Sequence, residues 1–110
     1  MTKVAENDDA SLNASDTGGQ LELPSYSDLS HAAGIKDSIL QVIGDVDQLV
    51  INGSNVERMD TSVIQLLVAA RESLAGESVD VVFAEPSEVM TRSFSDLGLA
   101  VELELWSAGK

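Results

Sequence analysis

Three short apolar runs punctuate this chain: LEL at Leu21 to Leu23, LVI at Leu49 to Ile51, and VDVVFA at Val79 to Ala84. Between them, apolar residues recur at the three- and four-residue spacing of an amphipathic helix. This alternation restricts the fold sharply, because parallel strands need long crossover connections and a helix supplies one while burying its apolar stripe on the sheet. The predicted class is α/β: a small, mostly parallel four-stranded sheet with about three helices, in the order strand, helix, strand, helix, strand, helix, strand.

The first strand is predicted over Gln20 to Leu23, with Leu21 and Leu23 on one face, Glu22 on the other, and Pro24 ending it. A helix follows from Asp28 to Ile43. Its stripe of Leu29, Ala32, Ala33, Ile39, Leu40 and Ile43 is interrupted by Lys36; Ser27 or Asp28 can cap it, and Gly44 can terminate it. Leu49 to Ile51 reads as a central strand covered on both faces. A second helix places Val63, Leu66, Leu67, Ala70 and Leu74 inward, widened by Ile64 and Val68, with Gln65, Arg71, Glu72 and Ser73 outward and Gly76 closing it. After the Val79 to Ala84 strand, Ser87 caps a third helix carrying Met90, Phe94 and Leu97, which Gly98 ends. Val101, Leu103 and Leu105 alternate with Glu102 and Glu104, the pattern of a last strand with one charged face. Met1 to Gly19, rich in Asp, Asn, Ser, Thr and Gly, is predicted to be a disordered acidic tail, leaving residues 20–110 as the domain.

Composition narrows the function classes. Without cysteine there is neither a disulfide framework nor a thiolate metal site, and His31 is the one histidine among 110 residues. Zinc sites and the usual Ser-His or Cys-His nucleophile pairs therefore lack parts, and a non-enzymatic protein without cofactor or metal is expected. The net charge of −13 repels phosphate backbones and anionic headgroups, which argues against nucleic acid and membrane surfaces as partners. No apolar stretch is long enough to span a bilayer and MTKVAENDDA lacks the apolar middle of a signal peptide, so a cytoplasmic protein is expected. Gly18-Gly19 lacks a following phosphate-cradling pattern, and direct nucleotide binding has no local support.

The chemistry-bearing segment is VERMDTSVIQLLVAA, Val56 to Ala70, where Asp60-Thr61-Ser62 stands at the doorway of the second helix. Asp60 or Thr61 can cap that helix, the carboxylate complementing its positive end. Ser62, next in line, is expected to project outward on the first turn as a candidate phosphoacceptor. A phosphoryl group there adds about −1.5 to −2 charges, which the helix dipole tolerates and a partner packed around a neutral hydroxyl does not. Arg58, just before Met59, can pair with Glu57 or line the interaction edge. Trp106 either packs over the sheet edge or marks a contact patch.

These segments resemble the STAS family, the domain of bacterial anti-sigma factor antagonists, between about Gln20 and Leu105: LELP, LVINGSNVERMDTSVIQLLVAA, VDVVFAEPSEVMTRSF and DLGLAVEL. The Asp60-Thr61-Ser62 cluster resembles the family's Asp-Ser-Ser-Gly or Asp-Thr-Ala-Gly signature. The resemblance implies a partner-switching signalling protein, with Ser62 in the place of the residue phosphorylated by a GHKL-type serine kinase that often doubles as the anti-sigma factor, and a PPM-type phosphatase reversing the mark. Asp60 and Thr61 match the signature, and Arg58, Met59 and Val63 flank it as partner-facing positions. Val63 replaces the family's Gly, and a β-branched side chain there crowds the approach to Ser62. The alternative within the family is a constitutive, unphosphorylated subunit of a lipid-transport ATPase complex.

Overall fold

The computed structural model describes residues 11–14, 18–41 and 46–107. Its elements run β1 (Ser11–Ala14), β2 (Gly18–Glu22), β3 (Tyr26–Ser27), α1 (Leu29–Leu40), β4 (Gln48–Asn52), β5 (Arg58–Met59), α2 (Thr61–Gly76), β6 (Asp80–Ala84), α3 (Glu88–Asp96) and α4 (Ala100–Trp106). The main sheet has four strands in the order β1-β2-β4-β6, and β3 pairs with β5 in a separate two-stranded ribbon. β2, β4 and β6 are parallel, whereas β1 joins β2 antiparallel.

The α/β class with a mostly parallel sheet is as the sequence predicts, and three differences are informative. Part of the predicted tail is sheet, since Ser11–Ala14 pairs with β2 from Ser11 opposite Glu22 to Ala14 opposite Gly19. Residues 1–10 and 15–17 of that tail lie outside the described residues, as do Ile43 and Gly44. The predicted last strand is instead the helix α4. Strand alternation requires Val101, Leu103 and Leu105 to share one buried face, yet Val101 is 63% and Leu105 73% exposed while Leu103 is 3%. Leu99, Leu103 and Trp106, at helical spacing, meet the core instead. Gly98, at φ +78°, turns the chain between α3 and α4, a left-handed conformation that glycine adopts without a Cβ penalty. The sheet thus has its four strands by recruiting β1, and the helices number four among the described residues.

The third difference is in the central strand. β4 lies between β2 and β6, but its burial alternates: Leu49 and Ile51 are fully buried while Val50 is half-buried. The strand order gives the reason. Successive crossovers β2 to β4 to β6 step in one direction, and crossovers of one hand stepping one way lay their helices on one face of the sheet. That face carries Leu21, Leu49, Ile51, Val81 and Phe83, packed with Ile35 and Ile39 of α1, Val63, Ile64, Leu67 and Leu74 of α2, Met90 and Phe94 of α3, and Leu103 of α4. Gln20, Glu22, Gln48 and Asp80 of the other face are exposed.

Phe83 anchors the α3–α4 side of this core. Its ring meets Phe94 edge-on at 6.0 Å and Trp106 at 6.1 Å, contacts worth roughly 0.5–1.5 kcal/mol each beyond area burial. Trp106 therefore packs against the core. It also sits 4.5 Å from the guanidinium carbon of Arg71, which corrects the outward placement of that residue: the Arg71 stem lies along the core edge with its charge over an aromatic face.

Candidate functional site

In an open sheet, functional loops collect at the carboxyl ends of the parallel strands, and here those ends feed the starts of α1, α2 and α3. The loops after β2 and β4 are fastened to each other by the β3–β5 ribbon, in which Tyr26 pairs with Arg58 and Ser27 with Met59. The Ser25 carbonyl accepts from the amides of Glu57 (2.7 Å) and Arg58 (3.0 Å), and the Ser27 carbonyl accepts from Asp60 N–H at 3.0 Å. Ser27 is fully buried and its hydroxyl donates to the Pro24 carbonyl at 2.9 Å, so it does not cap α1. The ribbon holds the start of α1 beside the start of α2.

Asp60 is the N-cap residue of α2, and its carbonyl receives the amides of Val63 and Ile64. Its carboxylate, however, makes no cap bond to its own helix. One oxygen accepts instead from the Leu29 amide at the start of α1, at 3.3 Å, and the other lies 3.7 Å from Arg58 Nε. The expected self-cap is thus a bridge between two helix starts. An anionic group placed over the free amides of α1 is stabilised by the helix dipole as well as by the hydrogen bond. Arg58 is largely exposed and pairs with Asp60 rather than Glu57.

Thr61 is exposed and Ser62 half-buried. The Ser62 hydroxyl oxygen itself is covered, with no hydrogen-bond partner among the described residues. The expectation that this hydroxyl projects outward is therefore corrected: its oxygen is covered by protein, although the residue as a whole is only half-buried. Met59 and Val63 also depart from their expected partner-facing positions, being 8% and 0% exposed and belonging to the core. Val63 in place of a glycine serves packing, and the side chains left at the surface of the cluster are those of Arg58, Asp60 and Thr61.

α1 contributes a group that sequence reasoning did not connect to this site. Asp28 Oδ1 accepts from Ser30 Oγ at 2.6 Å and from His31 Nδ1 at 3.0 Å, in the tautomer protonated there. The Ser30 hydroxyl, and then His31, hold the Asp28 carboxyl below its ordinary value of 3.8. Tyr26 and Leu29, 54% and 70% exposed, flank this network. A two-residue ribbon is too short to leave a periodic pattern, so nothing in the sequence announced that Tyr26 and Leu29 would stand beside Asp60. No group of three or more metal-ligating side chains occurs among the described residues, and no described helix is long and apolar enough to cross a membrane.

Comparison with known proteins places this fold. The chain is similar in fold to the anti-sigma factor antagonist SpoIIAA in its unphosphorylated form, with a TM-score of 0.69 and 20% identity over 89% of this chain and 84% of that one. It is similar also to the Bacillus cell fate determinant SpoIIAA in the phosphorylated form (TM-score 0.71, 21% identity, 89% and 87% covered). The solution structure of TM1081 matches with a TM-score of 0.68 at 16% identity, over 88% of this chain and 76% of that one. Comparison with curated proteins finds no match. The STAS domain model matches residues 10–108, from just before β1 through α4, and the chain belongs to the STAS domain family.

Proposed function

We propose that this protein is a cytoplasmic, non-enzymatic partner-switching regulator of the anti-sigma factor antagonist kind, controlled by phosphorylation of Ser62. The unmodified chain binds a GHKL-type serine kinase or anti-sigma-type partner through the surface around Arg58, Asp60 and Thr61. Phosphorylation of Ser62 releases it, and a PPM-type phosphatase restores binding. The observation that carries this reading is the placement of Asp60-Thr61-Ser62 at the start of α2 in a chain of the STAS domain family.

A phosphoryl group brings about −1.5 to −2 charges and three acceptor oxygens, none of which a covered position without a hydrogen-bond partner among the described residues satisfies. Modification therefore requires the first turn of α2 to present Ser62 outward, beside Asp60 and Thr61, where the new charge alters the surface that a partner reads. A loss of about 3 kcal/mol in binding weakens affinity more than a hundredfold. The SpoIIAA structures, similar in fold, include both an unphosphorylated and a phosphorylated form.

The same covered hydroxyl favours a second reading, a constitutive subunit of a lipid-transport ATPase complex that is never phosphorylated. Binding to the purified cognate kinase separates them. Under the switch, Ser62→Asp binds at least about a hundredfold more weakly than the parent while Ser62→Ala binds normally and takes up no phosphate. Equal binding by both variants, with a co-purifying ATPase complex indifferent to phosphatase, establishes the constitutive subunit instead.

A further inference from the structure

Two grooves flank α2. One, against α1, is lined by Lys36, Ile39, Leu40, Leu66, Ala69, Ala70, Ser73 and Leu74. The other, about 370 Å³, runs between α2 and the α3–α4 turn and is lined on α2 by Ile64, Gln65, Val68, Ala69 and Glu72, and across from it by Leu97 and Leu99. We infer that this second groove is a docking surface for an amphipathic helix of a protein partner, apolar toward Val68, Ala69 and Leu97 and basic toward Glu72.

The length of the groove fits such an occupant. Ile64 to Glu72 spans a little over two helical turns, about 12 Å, and Ala69 at its middle lets an opposing backbone approach closely. Leu97 forms an apolar rim, 42% exposed. The charge commits the partner. Glu72 is the charged residue lining the groove, exposed Asp96 precedes Leu97, and the chain carries a net −13. A second copy seated by two-fold symmetry brings this acidic surface against itself, which is repulsive, whereas a helix bearing Lys or Arg meets opposite charge. The groove is also distinct from the phosphoacceptor position. Thr61, Gln65, Val68 and Glu72 follow one another at helical spacing along this side of α2, Ala69 borders both grooves, and Ser62, Leu66 and Ser73 head toward the α1 side. An occupant of the α3–α4 side therefore ends beside Thr61.

Two-dimensional amide NMR of the full chain, titrated with a helical Leu/Lys amphipathic peptide and with its Leu/Glu counterpart, tests this. The Leu/Lys peptide shifts Gln65, Ala69, Glu72 and Leu97; Glu72→Lys weakens it about tenfold or more, whereas Glu77→Lys, an equal charge change beyond the groove, leaves affinity within about twofold. Ser62→Ala, which removes the phosphoacceptor hydroxyl and adds no charge, does not alter it, so the groove stands or falls independently of the switch. Equal binding of the Leu/Glu peptide, shifts scattered over the surface, no binding, or equal weakening by Glu77→Lys overturns the inference. So do shifts of these residues with protein concentration alone, which mark self-association.

Discussion

The starts of α3 and α2 both look like ordinary capped helices, and the structure separates them. At α3, Ser87 does what a cap residue does locally: its hydroxyl accepts from the Met90 amide three residues on, at 3.0 Å. At α2, Asp60 holds the N-cap position but aims its carboxylate at Leu29 and Arg58, leaving the first turn of its own helix without a side-chain cap. The first is a stability device confined to one turn. The second couples two loops and leaves the first turn of α2 without a side-chain acceptor among the described residues, so stability is yielded at the turn where partner recognition is proposed.

The largest expected effect breaks the α3 side. Met90 is fully buried beneath the α3 start, and Met90→Ala is expected to cost about 2–5 kcal/mol in chemical denaturation through lost burial and a cavity. Gly53 joins the two regions: its amide donates to the Ala84 carbonyl and its carbonyl accepts from Ser87 N–H, both at 3.0 Å. A Cβ at position 53 meets the Met90 sulfur and lies 3.5 Å from Pro86 Cα. Gly53→Ala is therefore expected to cost about 1–3 kcal/mol by overpacking. Combined with Met90→Ala it should cost less than the sum, because the truncated side chain vacates the contact. A strictly additive cycle contradicts that packing.

Smaller substitutions sharpen the contrast itself. Ser87→Ala should lose about 1 kcal/mol and speed amide exchange at Met90 and its neighbours. Asp60→Ala should lose about 0.5–1.5 kcal/mol, and the accelerated amide is to be Leu29, thirty-one residues away in sequence. Faster exchange in the first turn of α2, with Leu29 unchanged, restores Asp60 to an ordinary self-cap.

The smallest effect is a titration. Asp28 has its folded-state carboxyl held below 3.8. A depressed carboxylate contributes stability above its unfolded value that fades as pH falls through the folded one. Carbon-detected NMR should show Asp28 titrating below 3.8 in the parent, and at an ordinary value once Ser30→Ala and His31→Ala remove its donors.

The contrast also explains how far the sequence could be read. Periodicity located α1, α2 and α3, and the Ser87 cap and the Gly98 stop were legible because each depends on residues within a few positions. VELEL misled for a physical reason: five residues of strict alternation are compatible with a helix when only Leu103 needs burial and Leu99 and Trp106 extend its stripe. β1 was hidden because a short, polar edge strand owes its conformation to β2 and not to its own composition. At the site, the Asp60-Thr61-Ser62 signature was visible, but the direction of the Asp60 carboxylate, the covering of the Ser62 hydroxyl and the burial of Met59 and Val63 are tertiary outcomes, set by how the β3–β5 ribbon and α2 pack and not by residues within one turn.

The most direct test of the switch is tandem mass spectrometry of the protein from its native cells, with and without phosphatase, covering the peptide that contains Thr61 and Ser62. A phosphatase-sensitive phosphate on Ser62 is the predicted result. Its absence across growth and stress conditions with that peptide fully covered, or a phosphate confined to the already exposed Thr61, contradicts it.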